Sequence, residues 1–215
     1  MQITYLGHSS FCIKGKTGTV ITDPYDSLMV GLKFPKHLTA DVVTVSHNHQ
    51  DHNAVSEIEG TPFVITGPGE YEVNTIGVVG ESTYHDDTQG TARGRNVMYR
   101  IEVDGVAIGH LGDIGHMPSA QDLESLGNID ILMIPVGGTI TIDAAAAHKL
   151  ISEIDPKIVI PMHYGRPELN QKTFSDLQPL SVFLKEMGKE ELVAQPKLLM
   201  TKEKLPLEMQ VVVLQ

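Results

Sequence analysis

The chain has 215 residues, 41% of them hydrophobic and 20% charged, a balance that suits a soluble globular protein with a full core. Sixteen Lys and Arg against 27 Asp and Glu give a formal charge of −11, a field that repels phosphate backbones and argues against a nucleic-acid partner. Aromatics are 5% with no Trp, so the core is expected to be Ile, Val, Leu and Met, and the single cysteine excludes an intrachain disulfide.

The chain opens on Met1-Gln-Ile-Thr-Tyr-Leu6, which reads as a strand and not as a signal peptide. No stretch approaches the length of a membrane span, so a cytoplasmic location is expected. Ser10-Phe-Cys-Ile-Lys-Gly15 and Thr19-Val-Ile-Thr-Asp23 read as strand, Gly turn and strand ending in Asp, with Cys12 taken as core. Asp41-Val-Val-Thr-Val-Ser46 is β-branched and alternating, a buried strand that runs straight into His47-Asn-His-Gln-Asp-His52. Gly67-Pro-Gly-Glu70 lacks the lysine and spacing of a phosphate-cradling loop and reads as a turn.

Farther on, Gly80-Glu-Ser-Thr-Tyr84 leads to His85 and a polar segment, 86–96. Residues 97–103, the turn Asp104-Gly105 and residues 106–113 repeat the earlier plan, and an Asp-led apolar strand follows each copy, at Asp41 and at Asp130. This layout predicts a single domain over 1–215 made of two β-rich halves meeting near residue 95. Ser119 caps a short helix that Gly127 ends, and Asp143 caps the helix Ala144-Ala-Ala-Ala-His-Lys-Leu-Ile-Ser-Glu153. Lys157-Ile-Val-Ile160 begins another strand, residues 180–187 form a helix before Gly188, and residues 209–214 form a last strand. Strands interleaved with helices predict packed sheets with helices outside.

The hexapeptide H-x-H-x-D-H carries the chemistry. Side chains two apart on extended backbone point the same way, so His47 and His49 converge on one ion. A turn beyond them swings Asp51 and His52 towards a neighbouring ion. A carboxylate among neutral imidazoles suits zinc, and also iron or manganese. His85, Asp113 in Gly112-Asp-Ile-Gly115, and His163 before Tyr164-Gly165 lie at strand ends, and with the hexapeptide they supply enough ligands for two adjacent metals.

Together with Leu6-Gly-His-Ser-Ser-Phe11, Asp23-Pro24, His110-Leu-Gly-Asp113 and Pro161-Met-His-Tyr-Gly165, these motifs make the chain resemble the metallo-β-lactamase-fold superfamily of metal-dependent hydrolases. The resemblance covers essentially the whole chain and points to the small proteins related to ascorbate-phosphate lactonases. It implies an α/β (α+β) fold, a four-layer αββα sandwich with the site at one edge of the two sheets. Carried over, His47, His49 and His85 hold the first metal, Asp51, His52 and His163 hold the second, and Asp113 bridges them. Asp23 supports the histidine loop, with His110 beside it in a supporting role. His110 and His116 also compete with His85 as a ligand; His85 is preferred for its place before a Gly-rich loop. His at 49, where flavodiiron relatives carry an acid, favours zinc over a redox iron pair, and manganese, used by related lactonases, is the alternative.

The expected function is a dinuclear metal hydrolase that activates water against a small-molecule ester, lactone or phosphodiester, with no Ser or Cys nucleophile. Asp51 is also the candidate to orient that water or accept its proton. His8 is a candidate substrate contact or leaving-group acid, with a local structural role as its alternative. Segment 86–96 reads as a lid whose Arg93 and Arg95 meet an anionic substrate such as a phosphorylated sugar, or as a mobile surface loop. Gly137-Gly138 is expected to allow close backbone approach beside the site, and His37 and His148 to lie on the surface. Competing readings are a nuclease of the same superfamily, disfavoured by length and charge, and a non-catalytic metal-binding protein. A homo-oligomer is the default assembly.

Overall fold

Short β-branched runs separated by tight turns build both sheets of the computed structural model, which describes residues 1–215. β1 (Gln2–Gly7), β2 (Ser10–Lys14) and β3 (Thr19–Thr22) form an antiparallel meander. After α1 (Ser27–Val30), capped by the Asp26 carboxylate, β4 (Val42–Thr44) and β5 (Phe63–Ile65) add in parallel. The chain then leaves this sheet. β6 (Gly69–Val73), β7 (Ile76–Tyr84), β8 (Arg95–Val103) and β9 (Val106–His110) form a second antiparallel meander. α2 (Ala120–Leu126), β10 (Ile131–Pro135), α3 (Ala144–Ile154) and β11 (Ile158–Met162) continue it with parallel strands. α4 (Gln171–Phe174) and α5 (Leu180–Glu186) follow. β12 (Leu198–Leu199) then returns to pair with β1, and β13 (Gln210–Val211) pairs with β11.

The sheet orders are β12-β1-β2-β3-β4-β5 and β13-β11-β10-β9-β8-β7-β6. β1 to β5 and β7 to β11 show the same succession: antiparallel, antiparallel, parallel, parallel. In consequence β1, β3 and β4 share one direction within their sheet, as do β7, β9, β10 and β11 within theirs. This common direction places strand ends, and the loops that follow them, together.

Between the sheets, Ile3, Phe11, Ile13, Val20 and Val42 pack in one core with Val78, Tyr99, Ile101, Ile108, Met133 and Ile160. Each such side chain contributes about 1.5–3 kcal/mol by leaving water. The outer face of the second sheet (Leu132, Ile134, Val159) is covered by Ala147, Leu150 and Ile151 of α3 and by Phe183 and Leu184 of α5. The outer face of the first (Ile21, Val43, Val45) lies under Tyr25, Phe34, Leu169 and Phe174. The layers are therefore αββα as expected, but the layer over the first sheet is thin, made of the two four-residue helices α1 and α4 with loop segments. Although few, the aromatics are concentrated inside: Tyr25, Tyr99, Phe11, Phe34 and Phe183 are the largest fully buried side chains, so the core is less purely aliphatic than composition suggests.

Local signals act where expected. Ser119 and Asp122 form a capping box on α2, Gly127 ends it, and Asp143 Oδ1 accepts from Ala146 N at 2.9 Å to start α3. Other expectations need correction. The turn at Gly67-Pro68 is real, but Gly69 and Glu70 already belong to β6. The last strand is also shorter, because only Gln210 and Val211 find ladder partners on β11. No helix is long and apolar enough to cross a membrane.

Candidate metal centre

Each metal-ligand candidate, and His8 and Asp23 with them, follows a strand. His8 follows β1, Asp23 follows β3, the hexapeptide follows β4, His85 follows β7, Asp113 follows β9 and His163 follows β11. Three of them sit in the left-handed region: His8 at φ 55°, Asp23 at φ 40° and His163 at φ 52°. Such backbone costs about 1–3 kcal/mol per residue and persists where surrounding contacts over-determine it. Here the His8 carbonyl accepts from Tyr5 Oη at 2.7 Å and from His163 N at 3.0 Å, while Asp23 N donates to Thr44 O at 2.8 Å. Gly137 lies so close to the His163 carbonyl that any Cβ would strike it, the close backbone approach expected there.

The fold brings all seven ligand candidates together. Ring nitrogens of His47, His49 and His85 lie within 4.8 Å of one another. In a second group, ligand atoms of Asp51, His52, His163 and His8 lie equally close, within 4.8 Å of one another. Asp113 Oδ2 stands between the groups, 3.4 Å from His85 Nε2, 3.3 Å from His52 Nε2 and 3.1 Å from His163 Nε2. The competing histidines are engaged elsewhere. His116 Nε2 accepts from Tyr84 N at 3.2 Å, and its Nδ1 donates to Met117 O at 2.9 Å. His110 Nε2 donates to Ser9 O at 2.8 Å and its Nδ1 accepts from Gly112 N at 3.3 Å, so it ties the loop after β1 to the turn carrying Asp113. His37 and His148 lie away from the site, beside Glu59 and Glu186.

Asp23 organises the rest. Its Oδ1 accepts from Ser46 N at 2.7 Å, and its Oδ2 accepts from Ser46 Oγ at 2.6 Å and from His52 Nδ1 at 2.8 Å. Because the Ser46 hydroxyl proton goes to Asp23, Ser46 Oγ accepts from His47 Nδ1 at 2.9 Å. Both imidazoles therefore carry a proton on Nδ1 and turn Nε2 into the site, the arrangement by which a supporting carboxylate orients a histidine ligand. Asn96, fully buried, does the same for Asp113 through backbone. Its Oδ1 accepts from Asp113 N at 3.0 Å, and its Nδ2 donates to Leu111 O at 2.9 Å and Thr83 Oγ1 at 3.0 Å. Gly112, at φ 56°, has no room for a Cβ against Asn96 and Ser46. Sequence reasoning missed Ser46 and Asn96, whose roles are hydrogen bonds between elements distant in sequence.

The donor set fits a cation. His47 Nε2, His52 Nε2, His163 Nδ1 and Nε2, and both Asp113 oxygens are buried with no hydrogen-bond partner, a cost proteins rarely leave uncompensated. Burial pushes His47 down to about 3 and His8 to about 4, His52 and His163 respectively adding to it, and burial also lowers His85. All three are thus neutral at pH 7, the state in which imidazole offers a lone pair. Burial would raise Asp113, but His163 and His52 beside it hold it well below the usual carboxylate range; His52 and His8 do the same for Asp51. Asp23 is likewise held low against burial, by His110 and His52. Burial disfavours charge on His52 too, while Asp113 and Asp51 raise it well above the ordinary value; a cation bound there would take the place of the Nε2 proton and leave Nδ1–H on Asp23. Neutral imidazoles beside ionised carboxylates, with aimed and unpartnered donor atoms, form a set that two divalent ions would satisfy.

Three clefts of about 370 Å³ each open beside these groups, and two of them reach Arg93. One is polar, lined by Ser46, His47, Asn48, His49, Ser82 and Arg95 among others. The second is lined by His49, Asp51 and His85 with Met29, Ile140 and Phe174. Arg93 lines both. His8 lines neither. Its ring is fully buried between His163 and Phe174, and its Nε2 faces Asp51 Oδ2 at 3.2 Å, so its contact is with Asp51 and not with the open cleft. Of segment 86–96, read from sequence as a lid or a mobile surface loop, residues 86–94 form a turn closed around one carboxylate. The Asp86 carboxylate accepts from Thr88 N and Oγ1 and from Gly90 N at 2.8 Å through Oδ1, and from Arg93 N at 2.7 Å and Ala92 N at 3.1 Å through Oδ2.

Residues 2–163 match the Beta-lactamase superfamily domain. A UPF0173 metal-dependent hydrolase of Thermoplasma volcanium is 31% identical over 193 residues, covering 77% of this chain and 84% of that protein. A Thermotoga maritima crystal structure, assigned to the Zn-dependent hydrolases of the metallo-β-lactamase superfamily, superposes with TM-score 0.80 at 34% identity, covering 99% of this chain and 97% of that one. An isothiocyanate hydrolase from Delia radicum gut bacteria shares the fold at TM-score 0.70 and 13% identity, covering 94% and 100% of the two chains.

Proposed function

The chain belongs to the metallo-β-lactamase superfamily as a metal-dependent hydrolase, and from that premise we propose that its centre is dinuclear and acts on a small-molecule ester, lactone or phosphodiester. The observation that carries this reading is Asp113 Oδ2, set between the two donor groups with no protein donor of its own. His47, His49 and His85 would hold one cation, Asp51, His52 and His163 the other, and Asp113 would serve both. Zinc is favoured over manganese because the donors are mostly imidazole. When bound, such ions supply Lewis acidity, which polarises a substrate oxygen and acidifies water towards neutral pH.

The chain's own residues supply orientation and a proton acceptor. Asp51, held ionised by His52 and His8, faces the second cleft and takes the proton that the attacking water gives up. His8 Nε2–H keeps Asp51 Oδ2 in place from behind, which makes His8 a positioning residue. Met29, Ile140 and Phe174 form the apolar wall that displaces water from one side of the reacting group.

The test is turnover of ester, lactone and phosphodiester panels by zinc-loaded protein. Hydrolysis of one class is expected, lost on chelation and lowered about 100-fold or more in Asp51→Asn, the scale of general-base catalysis. No turnover of any panel member by fully loaded protein would remove the hydrolytic reading of this cleft.

A further inference from the structure

We propose that Arg93, assisted by Arg95, is the anion-recognition element of the cleft, so that the substrate carries a phosphate or carboxylate group next to its scissile bond. The inference rests on the hydrolase reading of the same site and names its substrate class.

The first observation is that both guanidinium groups are free. Acidic residues outnumber basic ones 27 to 16, yet neither Arg93 nor Arg95 has a carboxylate oxygen within 4.0 Å, whereas Arg100 and Arg166 each pair with a glutamate. The second is placement. Arg93 lines the polar cleft beside His47 and His49, and also the cleft lined by Asp51 and His85; Arg95 lines the polar one. A guanidinium beside a cation-binding centre opposes cation binding by like-charge repulsion. An oxyanion lying between them relieves that repulsion, and Arg presents a planar fork that matches phosphate and carboxylate.

The third observation is that the backbone carrying Arg93 is fixed. The Asp86 carboxylate collects donors from Thr88, Gly90, Ala92 and Arg93, and the turn is closed by Gly94 N donating to Gly90 O at 3.0 Å and His85 N donating to Gly94 O at 3.0 Å. One carboxylate thus links the position of Arg93 to the strand end that carries His85. Preorganised in this way, Arg93 loses less freedom on binding an anion than an arginine on a loose loop would. Around it, the polar residues Asn48, Thr66 and Ser82 line the same cleft and suit the polar remainder of such a substrate.

The probe is inorganic phosphate, titrated calorimetrically into zinc-loaded protein at fixed ionic strength, with metal content measured on each sample. Wild type is expected to bind phosphate. Arg93→Ala is expected to weaken binding about tenfold or more at unchanged zinc content, the scale of losing one charge-assisted contact. Arg93→Lys falls between, because it keeps the charge and loses the fork. Lys149→Ala, which removes an exposed charge on α3, leaves phosphate affinity unchanged. Equal affinity in wild type and Arg93→Ala, an equal loss in Lys149→Ala, a loss accompanied by zinc release, or no binding to wild type would each overturn the proposal. Since the titration needs no turnover, an inert protein with Arg93-dependent phosphate binding would sink the hydrolytic reading alone. An active one with Arg93-independent binding would sink only this inference.

Discussion

Ser46→Ala isolates one imidazole of the centre. The substitution deletes the hydroxyl that donates to Asp23 Oδ2 at 2.6 Å and accepts from His47 Nδ1 at 2.9 Å. Asp23 keeps Ser46 N at 2.7 Å and His52 Nδ1 at 2.8 Å, so only His47 loses the partner that fixes its tautomer and ring. Removing such a supporting contact costs about 10–100-fold in metal affinity, and a neutral hydroxyl belongs at the lower end. The expected loss is about tenfold, or about 1.4 kcal/mol, at the site of His47, His49 and His85, with the other site unchanged. Asp23→Asn is the contrast. It replaces the acceptor shared by Ser46 and His52 and is expected to weaken both sites. Competition for zinc against a chromophoric chelator resolves the two affinities. Equal losses at both sites in Ser46→Ala, or none at either, would refute the relay from Asp23 through Ser46 to His47.

Gly112→Ala adds a methyl at φ 56° against Asn96 and Ser46; a stability loss of about 1–3 kcal/mol from backbone strain alone is expected in urea unfolding. Asn96→Ala leaves Asp113 N and Leu111 O without their buried partner, so a loss of about 1–3 kcal/mol per orphaned group is expected, with lower metal occupancy by elemental analysis. Chelating the ions should lower the thermal midpoint. Cation at 100 times its dissociation constant contributes about 2.7 kcal/mol per site, or about 5–10 °C for a chain of this size, and re-adding zinc should restore it.

The hexapeptide was legible because its logic is local. A β-branched strand fixes the side-chain period at two, and four of the ligand candidates follow within six residues. Caps at Ser119 and Asp143 were readable for the same reason, since the capping group and the amide it serves are three residues apart. β5 escaped notice because three residues carry no measurable period. The hairpin of β6 and β7 turns on Asn74-Thr75, at φ 49° and 66°, where Asn-Gly would have announced it. Choosing His85 over His110 and His116 rested on its place before a Gly-rich loop, because the hydrogen bonds that engage the other two rings exist only in the folded chain. Ser46, Asn96 and the caged turn at Asp86 were invisible in another way. Their roles are hydrogen bonds that exist only once separate strand ends meet at one rim, or once a polar loop folds around its own carboxylate.

The most direct test of the shared-carboxylate centre is metal content per chain in protein purified without a histidine tag, compared with Asp113→Ala and His163→Ala. The account predicts about two zinc or manganese ions per chain in the wild type, with clear losses in both variants. A folded wild type holding none, or variants that retain the full complement, would contradict it.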